Sequence, residues 1–248
     1  MEKTVIGVIH LRPLPGSPNY TSFEEVVDSA LKDARAYEEG GVDAVVVENY
    51  GDKPFLIEVN KETVACMTAV IMEIKRETNL GIGVNVLRND AIAALAVAKA
   101  TDADFIRVNQ LFFPSIMPEG YVSGDPGKIM RYRRAIDCKA MVFADIHVKH
   151  AIHSASIEDY VVEADRSLAD ALIVTGRTTG AEIDIEELRY VRENVKIPVL
   201  AGSGVNVRNA GRILKIADGV IVGTYFKKKG EIDVERVRRI VRIAKGER

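Results

Sequence analysis

The chain has 248 residues and a formal net charge of −2. That length suits one β/α barrel or two doubly wound halves, and the lack of any basic block excludes duplex nucleic acid as a main partner. No apolar run is long enough to cross a bilayer, residues 1–10 hold too short an apolar run for a signal peptide, and Cys66 and Cys138 form no metal pattern, so the expectation is a cytoplasmic protein.

In chain order, strands are predicted at residues 4–10, 43–49, 81–86, 104–109, 140–147, 171–175, 198–201 and 219–223. Most are rich in valine and isoleucine without apolar–polar alternation, as when both faces are buried. Segments of helical period lie between them. Val27, Ala30, Leu31 and Ala34 share one face of the first helix, and Val234, Val237, Val241 and Ala244 one face of the last. Gly40-Gly41 should end the first helix in a left-handed cap, and Asp184 and Asn206 are the expected N-caps of later helices. An aspartate recurs just before strands, at Asp43, Asp104, Asp170 and Asp218, as a short internal repeat. The alternation of elements predicts a single (β/α)8 TIM barrel over residues 1–248. Three longer connections, 11–18, 50–55 and 110–128, fall on the side where barrels build lids and binding surfaces.

Polar residues gather where the strands end: His10, Glu48, Asn85, Arg107, Asn109, Asp145, His147 and Thr175. In a barrel they converge on one mouth, which is where barrel active sites are built. Residues two apart on a strand share a face, so Asp145, His147 and Lys149 should point together. Asp145 would then orient His147 for general acid–base work, with Glu48 as a second carboxylate. The alternatives are a divalent metal held by Glu48, Asp145 and His147, with His10 as another candidate ligand, and a structural ion pair closing the barrel top. No organic cofactor is implied. Lys149 fits either neutralisation of an anionic substrate or, if desolvated, a Schiff base. His150 and His153 do not share a helix face with His147 and read as bystanders. Arg107 is costly to bury alone and calls for Glu48 or Asp145 as partner, either to clamp a substrate anion or to shape the mouth. His10, Asn85, Asn109 and Thr175 complete the expected substrate-orienting set.

Glycine turns follow the last three predicted strands. They are Thr-Gly-Arg-Thr-Thr-Gly at 175–180, Gly202-Ser203-Gly204, and Gly223-Thr224. Glycine lets backbone N–H groups approach an anion closely, so Gly176, Gly202, Ser203, Gly204, Gly223 and Thr224 are the expected phosphate ligands. Tight strand-to-helix turns are the plainer alternative. The short basic run at 227–229 reads as a solvated surface rather than a membrane contact. Phe112 and Phe113, if exposed, would seek cover in a homo-oligomer.

Five segments together resemble the BtpA family, also called BtpA/SgcQ. They are residues 7–18 (Gly-Val-Ile-His-Leu-Arg-Pro-Leu-Pro-Gly-Ser-Pro), 144–151 (Ala-Asp-Ile-His-Val-Lys-His-Ala), 175–180, 200–205 and 218–227. The match runs from the first strand to the last. The resemblance implies a β/α barrel and carries no catalytic assignment. The family name comes from a cyanobacterial protein of photosystem I biogenesis and stability, so a non-catalytic biogenesis factor stands beside the enzyme as a reading. From the residues themselves the expectation is an isomerase, lyase or hydrolase of a small phosphorylated metabolite, such as a sugar or nucleoside phosphate.

Overall fold

A computed structural model describes residues 3–176 and 182–247. Eight strands form a closed, all-parallel barrel: β1 (Thr4–His10), β2 (Ala44–Glu48), β3 (Gly81–Asn85), β4 (Phe105–Val108), β5 (Met141–Ile146), β6 (Ala171–Val174), β7 (Val199–Ala201) and β8 (Gly219–Val222). Each pairs with its successor in the chain, and β8 returns to β1. All eight fall within a residue or so of the bounds expected from sequence. The helices around them are α1 (Phe23–Gly40), α2 (Lys61–Glu77), α3 (Ala91–Thr101), α4 (Pro126–Ala135), α5 (Ile157–Ser167), α6 (Ile185–Asn194), α7 (Ala210–Ile213) and α8 (Val234–Lys245). Among the described residues no helix is long and apolar enough to cross a membrane.

The helix ends follow local chemistry. Ser22 caps α1, whose C-terminal end closes on Gly41 at φ +83°, a left-handed turn that glycine adopts without strain. Asp184 caps α6 by accepting from the N–H groups of Glu186 and Glu187. Asn206 does not cap a helix. Its side chain accepts from the Arg208 N–H within the loop, and α7 starts only at Ala210.

The recurring aspartates have one physical role. Asp43, Asp104, Asp170 and Asp218 each precede an even-numbered strand. Each carboxylate accepts the N–H of the odd strand before it, at Val5, Ile82, Val142 and Val199, over 2.7–2.9 Å. The same aspartate's own N–H donates back to the carbonyl of that residue. Four reciprocal clamps thus tie strands β1–β2, β3–β4, β5–β6 and β7–β8 at the barrel's lower end, with a charge-assisted bond in each.

Two apolar layers result. One lies between the strands and the helices. The other fills the barrel interior with Ile6, Val8, Ala44, Val46, Phe105, Phe143, Ala171, Ile173, Leu200 and Ile221. Phe105 and Phe143 stack with ring centroids 4.6 Å apart. Gly83 makes room for them, since a Cβ there would lie 2.2 Å from the Phe105 ring. This plug floors the mouth with rings and aliphatic groups.

The loops after β4 and β5 do more than connect. Residues Pro114–Met117 pair with Gly120–Ser123 and with Ile152–His153 in a small antiparallel sheet. Phe112 is buried and Phe113 partly so, both packed on Tyr160. The exposure that would have made them an oligomer surface is therefore absent, because Tyr160 of α5 covers them.

Candidate active site

Above the aromatic plug, the next inward-facing layer is polar. His10, Glu48 and Asn85 stand opposite one another on β1, β2 and β3. Arg107 rises from β4 between two carboxylates. Its Nε and Nη2 donate to Asp145 Oδ1 and Oδ2 at 3.0 and 2.9 Å, and its Nη1 donates to Glu48 Oε1 at 3.0 Å. Asn109 Nδ2 adds a bond to Asp145 Oδ2 at 3.1 Å. All four side chains are buried. A lone guanidinium could not sit here, and the bidentate pairing on one side and single bond on the other make the burial tolerable. Burial works against the Arg107 charge, but Asp145 and Glu48 outweigh it and hold the group more firmly protonated than usual. Burial raises the Glu48 carboxyl, against the opposing pull of Arg107.

His10 bridges Glu48 to the outer rim. Lys227 Nζ lies 3.1 Å from His10 Nδ1, and His10 Nε2 lies 3.6 Å from Glu48 Oε2. An ammonium has only donors, so Nδ1 accepts and the imidazole proton sits on Nε2, facing Glu48. Burial, then the charges of Lys227, Lys53 and Arg107, pull the His10 pKa down to about 3. His10 is therefore neutral at physiological pH. Its ring stacks on Tyr50 at 4.2 Å, and Lys53 Nζ sits 3.7 Å over the other ring system, that of Tyr50.

These groups open into a cavity of about 700 Å³. Its walls include Glu48, Arg107 and Asn109 below, Tyr50, Lys53 and Phe55 on one side, and residues 202–208 and 221–225 on the other. Among the described residues, five cationic side chains line it, Lys53, Arg88, Arg107, Lys149 and Arg208, against two carboxylates, Glu48 and Glu119. The chain as a whole is acidic, so the positive excess belongs to this cavity and favours anions. The turn after β7 is shaped by Asn209, whose Nδ2 donates to the Gly204 carbonyl at 2.9 Å while Gly204 adopts φ +62°. Gly202 is packed so closely that a Cβ would meet Ile173 Cγ2 at 2.4 Å. A Cβ on Gly223 would meet Val8 at 3.5 Å and His10 at 3.8 Å, ordinary contact distances.

The structure brings together most, but not all, of the residues singled out from sequence. His10, Glu48, Arg107, Asn109, Lys149, Gly202, Ser203, Gly204, Gly223 and Thr224 line the cavity. Asp145 lies just beneath it, held by Arg107. Asn85 is also beneath, fully buried, with no partner for either side-chain polar atom among the described residues. His147 is elsewhere. Strand β5 ends at Ile146, and His147 takes φ +49°, so the extended geometry that would have aligned it with Asp145 stops one residue too soon. Its Nε2 lies 3.1 Å from the Ala155 carbonyl, and its ring stacks on His153 at 4.6 Å. The expected Asp145–His147 pair does not form. His150, read as a bystander, lines the cavity instead. Thr175 donates its hydroxyl to the His147 carbonyl at 3.1 Å and does not face the cavity. Gly176 is likewise not in the lining, and residues 177–181 of the same turn lie outside the described residues.

The metal alternative also loses its ligand set. The Arg107 cation occupies the space between Glu48 and Asp145, and His147 is turned away. Among the described residues no group of three His, Cys, Asp or Glu side chains could hold a metal ion.

Loops supply what sequence reasoning missed: Tyr50, Lys53, Phe55, Arg88, Glu119, Arg208 and Lys227. Arg88 Nε lies 3.7 Å from Glu119 Oε2, and its Nη2 donates to the Lys149 carbonyl at 2.7 Å. None of these residues shows a periodic signal; loop length marked the regions of Tyr50, Lys53, Phe55 and Glu119, whereas nothing marked Arg88 or Arg208 and Lys227 was read as solvated surface.

The sequence profile of the BtpA family matches residues 1–246. The chain belongs to the BtpA family. An uncharacterized protein of Archaeoglobus fulgidus is 65% identical over 246 residues, covering 99% of this chain and 100% of the relative. The Photosystem I biogenesis protein BtpA of Synechocystis is 37% identical over 235 residues, covering 92% of this chain and 82% of that one. Among solved structures, thiamine phosphate pyrophosphorylase from Pyrococcus furiosus aligns with a TM-score of 0.64 at 18% identity, covering 98% of this chain and 96% of that one. That likeness is one of fold, the TIM barrel. In this BtpA-family barrel, residues 11–18 and 147–151 of the resembling segments both follow strand ends on the cavity side.

Proposed function

We propose that this protein is an enzyme that binds a small phosphorylated metabolite at the barrel mouth and moves a proton on it. One observation carries the reading: the glycine turns after β7 and β8 open into the same positively charged cavity as the buried Glu48–Arg107–Asp145 array. Phosphate would lie against the turn at Gly202, Ser203 and Gly204 and against Gly223 and Thr224, the usual place for it in such barrels. Glu48 is the proton-transfer group. Burial raises its carboxyl above the ordinary glutamate value, against the opposing pull of Arg107, and a raised carboxyl is the better suited to take up and return a proton. Arg107 donates to its Oε1, and neutral His10 aims an N–H at its Oε2. Asp145 is a positioning residue that holds Arg107. The thiamine phosphate pyrophosphorylase neighbour, whose name includes a phosphorylated compound, supports the class and no particular substrate.

The test is a thermal-shift screen of phosphorylated sugars and nucleotides, each beside its unphosphorylated parent. A ligand at a hundred times its Kd adds about 2.7 kcal/mol of apparent stability. For a chain of this size that is roughly a 5–10 °C rise in Tm. Equal responses to phosphorylated and parent compounds would overturn the reading.

A second reading, a biogenesis factor without catalysis, draws on the Synechocystis relative and on an exposed apolar row, Tyr121, Ile116 and Ile152, aligned across the small sheet. It predicts that Ile152→Ser, and not Glu48→Gln, abolishes the cellular phenotype.

A further inference from the structure

Lys149 is the cavity group whose placement calls for a chemical role beyond charge. It sits on the loop leaving β5 with its ammonium inside the wall, where Nζ donates to the Gly202 carbonyl at 3.2 Å. It forms no ion pair with a carboxylate among the described residues, because Arg107 engages both Glu48 and Asp145. Its main chain is anchored: Arg88 donates to the Lys149 carbonyl. The side chain therefore projects from a fixed point into a cavity that already holds three guanidinium groups, those of Arg88, Arg107 and Arg208.

A lysine retained for charge alone would find a carboxylate or face water. This one is partly buried in the wall, lacks a carboxylate partner among the described residues and is set among cations, conditions that turn an ammonium toward an amine nucleophile. Burial, then Arg107, lower its pKa to about 8. At pH 7 that leaves roughly a tenth of the group neutral, against well under a hundredth for a solvated lysine.

We propose that Lys149 forms an iminium with a carbonyl carbon of the phosphorylated substrate, which makes that substrate an open-chain phosphorylated aldehyde or ketone. This rests on the phosphate-site reading above. The neutral amine adds its lone pair to the carbonyl carbon, and one proton moves from nitrogen to oxygen to give a carbinolamine. Protonation of that hydroxyl releases water as the nitrogen lone pair forms the C=N bond. The sum is amine, carbonyl and one proton giving iminium and water, with no oxidation or reduction. The iminium then draws electrons from a neighbouring C–H bond, whose proton passes to the Glu48 carboxylate. Reprotonation and hydrolysis return the lysine. The same electron sink serves cleavage of a neighbouring C–C bond.

The experiment uses the intact protein, dihydroxyacetone phosphate or glyceraldehyde 3-phosphate as probe, and sodium borohydride to reduce the iminium. Intact-mass and peptide-mass spectrometry then locate the adduct, and calorimetry measures probe binding without reductant. The expected result is one reduced adduct per chain on Lys149, suppressed by excess inorganic phosphate and lost in Lys149→Arg. A wild-type protein that binds the probe in the calorimeter yet gives no adduct overturns the iminium and leaves the phosphate site standing. One that neither binds nor reacts overturns both. An adduct that persists in Lys149→Arg, or that scatters over surface lysines, overturns the assignment to Lys149.

Discussion

Replacing Arg107 with methionine tests whether the buried charge array is what holds the mouth together. The substitution removes three charge-assisted bonds, two to Asp145 and one to Glu48. Summed at about 1.5–3 kcal/mol each they would suggest about 4.5–9 kcal/mol, a large share of a typical domain's stability. The actual cost is capped, because the stranded Glu48 takes up a proton more readily and Asp145 keeps its bond from Asn109. Breaking a buried pair by removing one partner costs about 3–5 kcal/mol. For a domain of this size the drop in Tm is then roughly 6–20 °C. The penalty must depend on pH with a defined sign. Burial already raises the Glu48 carboxyl above its ordinary value, and loss of Arg107 raises it further. A group whose folded pKa exceeds its unfolded one gives its full stabilisation below the unfolded value and loses it as pH rises through the folded value. Arg107→Met should therefore lie nearest to wild type under acid conditions and furthest from it at neutral pH. Differential scanning calorimetry at about pH 4 and pH 7 reads this directly. Adding Glu48→Gln and Asp145→Asn to the same chain should restore much of the loss at pH 7. A deficit under about 1 kcal/mol, or one equal at both pH values, would refute the reasoning.

Gly223→Ala adds a methyl group at ordinary contact distances inside the expected phosphate cradle. It should weaken binding of the phosphorylated probe about tenfold, or about 1.4 kcal/mol by calorimetry, with Tm unchanged. Glu48→Gln should slow solvent-deuterium incorporation next to the probe's carbonyl by about a hundredfold or more, followed by proton NMR. In wild type that rate should rise with pH through a value above the ordinary glutamate range, since the carboxylate is the active form. His147→Ala should leave the same exchange rate within about threefold while costing about 1 kcal/mol of stability, because its ring packs on His153 and Tyr160 outside the cavity. Borohydride trapping should grow as pH rises through about 8, where Lys149 loses its proton.

The barrel was legible because its signals are local and repeated. Valine-rich runs recur at the spacing of one β/α unit, the aspartate turns recur at every second strand, and glycine turns follow the last three strands, so a misjudged residue at one boundary does not disturb the others. The polar layer was legible for the same reason, since Glu48, Asn85, Arg107 and Asp145 stand on regular strands where alternation dictates direction. His147 was not, because alternation is a rule about extended chain and the chain bends at that residue. Lys227 was read with its neighbours as solvated surface. It opens a short hairpin with Glu231–Ile232 that sets its ammonium against His10, a contact separated by 217 residues and invisible to any local pattern. Arg88 and Tyr50 escaped for a similar reason: loop residues carry no period, and only the folded chain says where they face.

The aspartate clamps divide labour along the barrel axis. They join strands in successive twos at the pole remote from the cavity, so the chain reads as four like quarters, each a strand–helix–strand–helix module sealed by its own carboxylate. Pairing within each quarter is held at that pole by groups that belong to the strands and not to the opposite loops. The loops are thereby released from holding the ring shut, and a lineage can rewrite its reactive rim, or lose the chemistry altogether, while inheriting the same sealed cylinder.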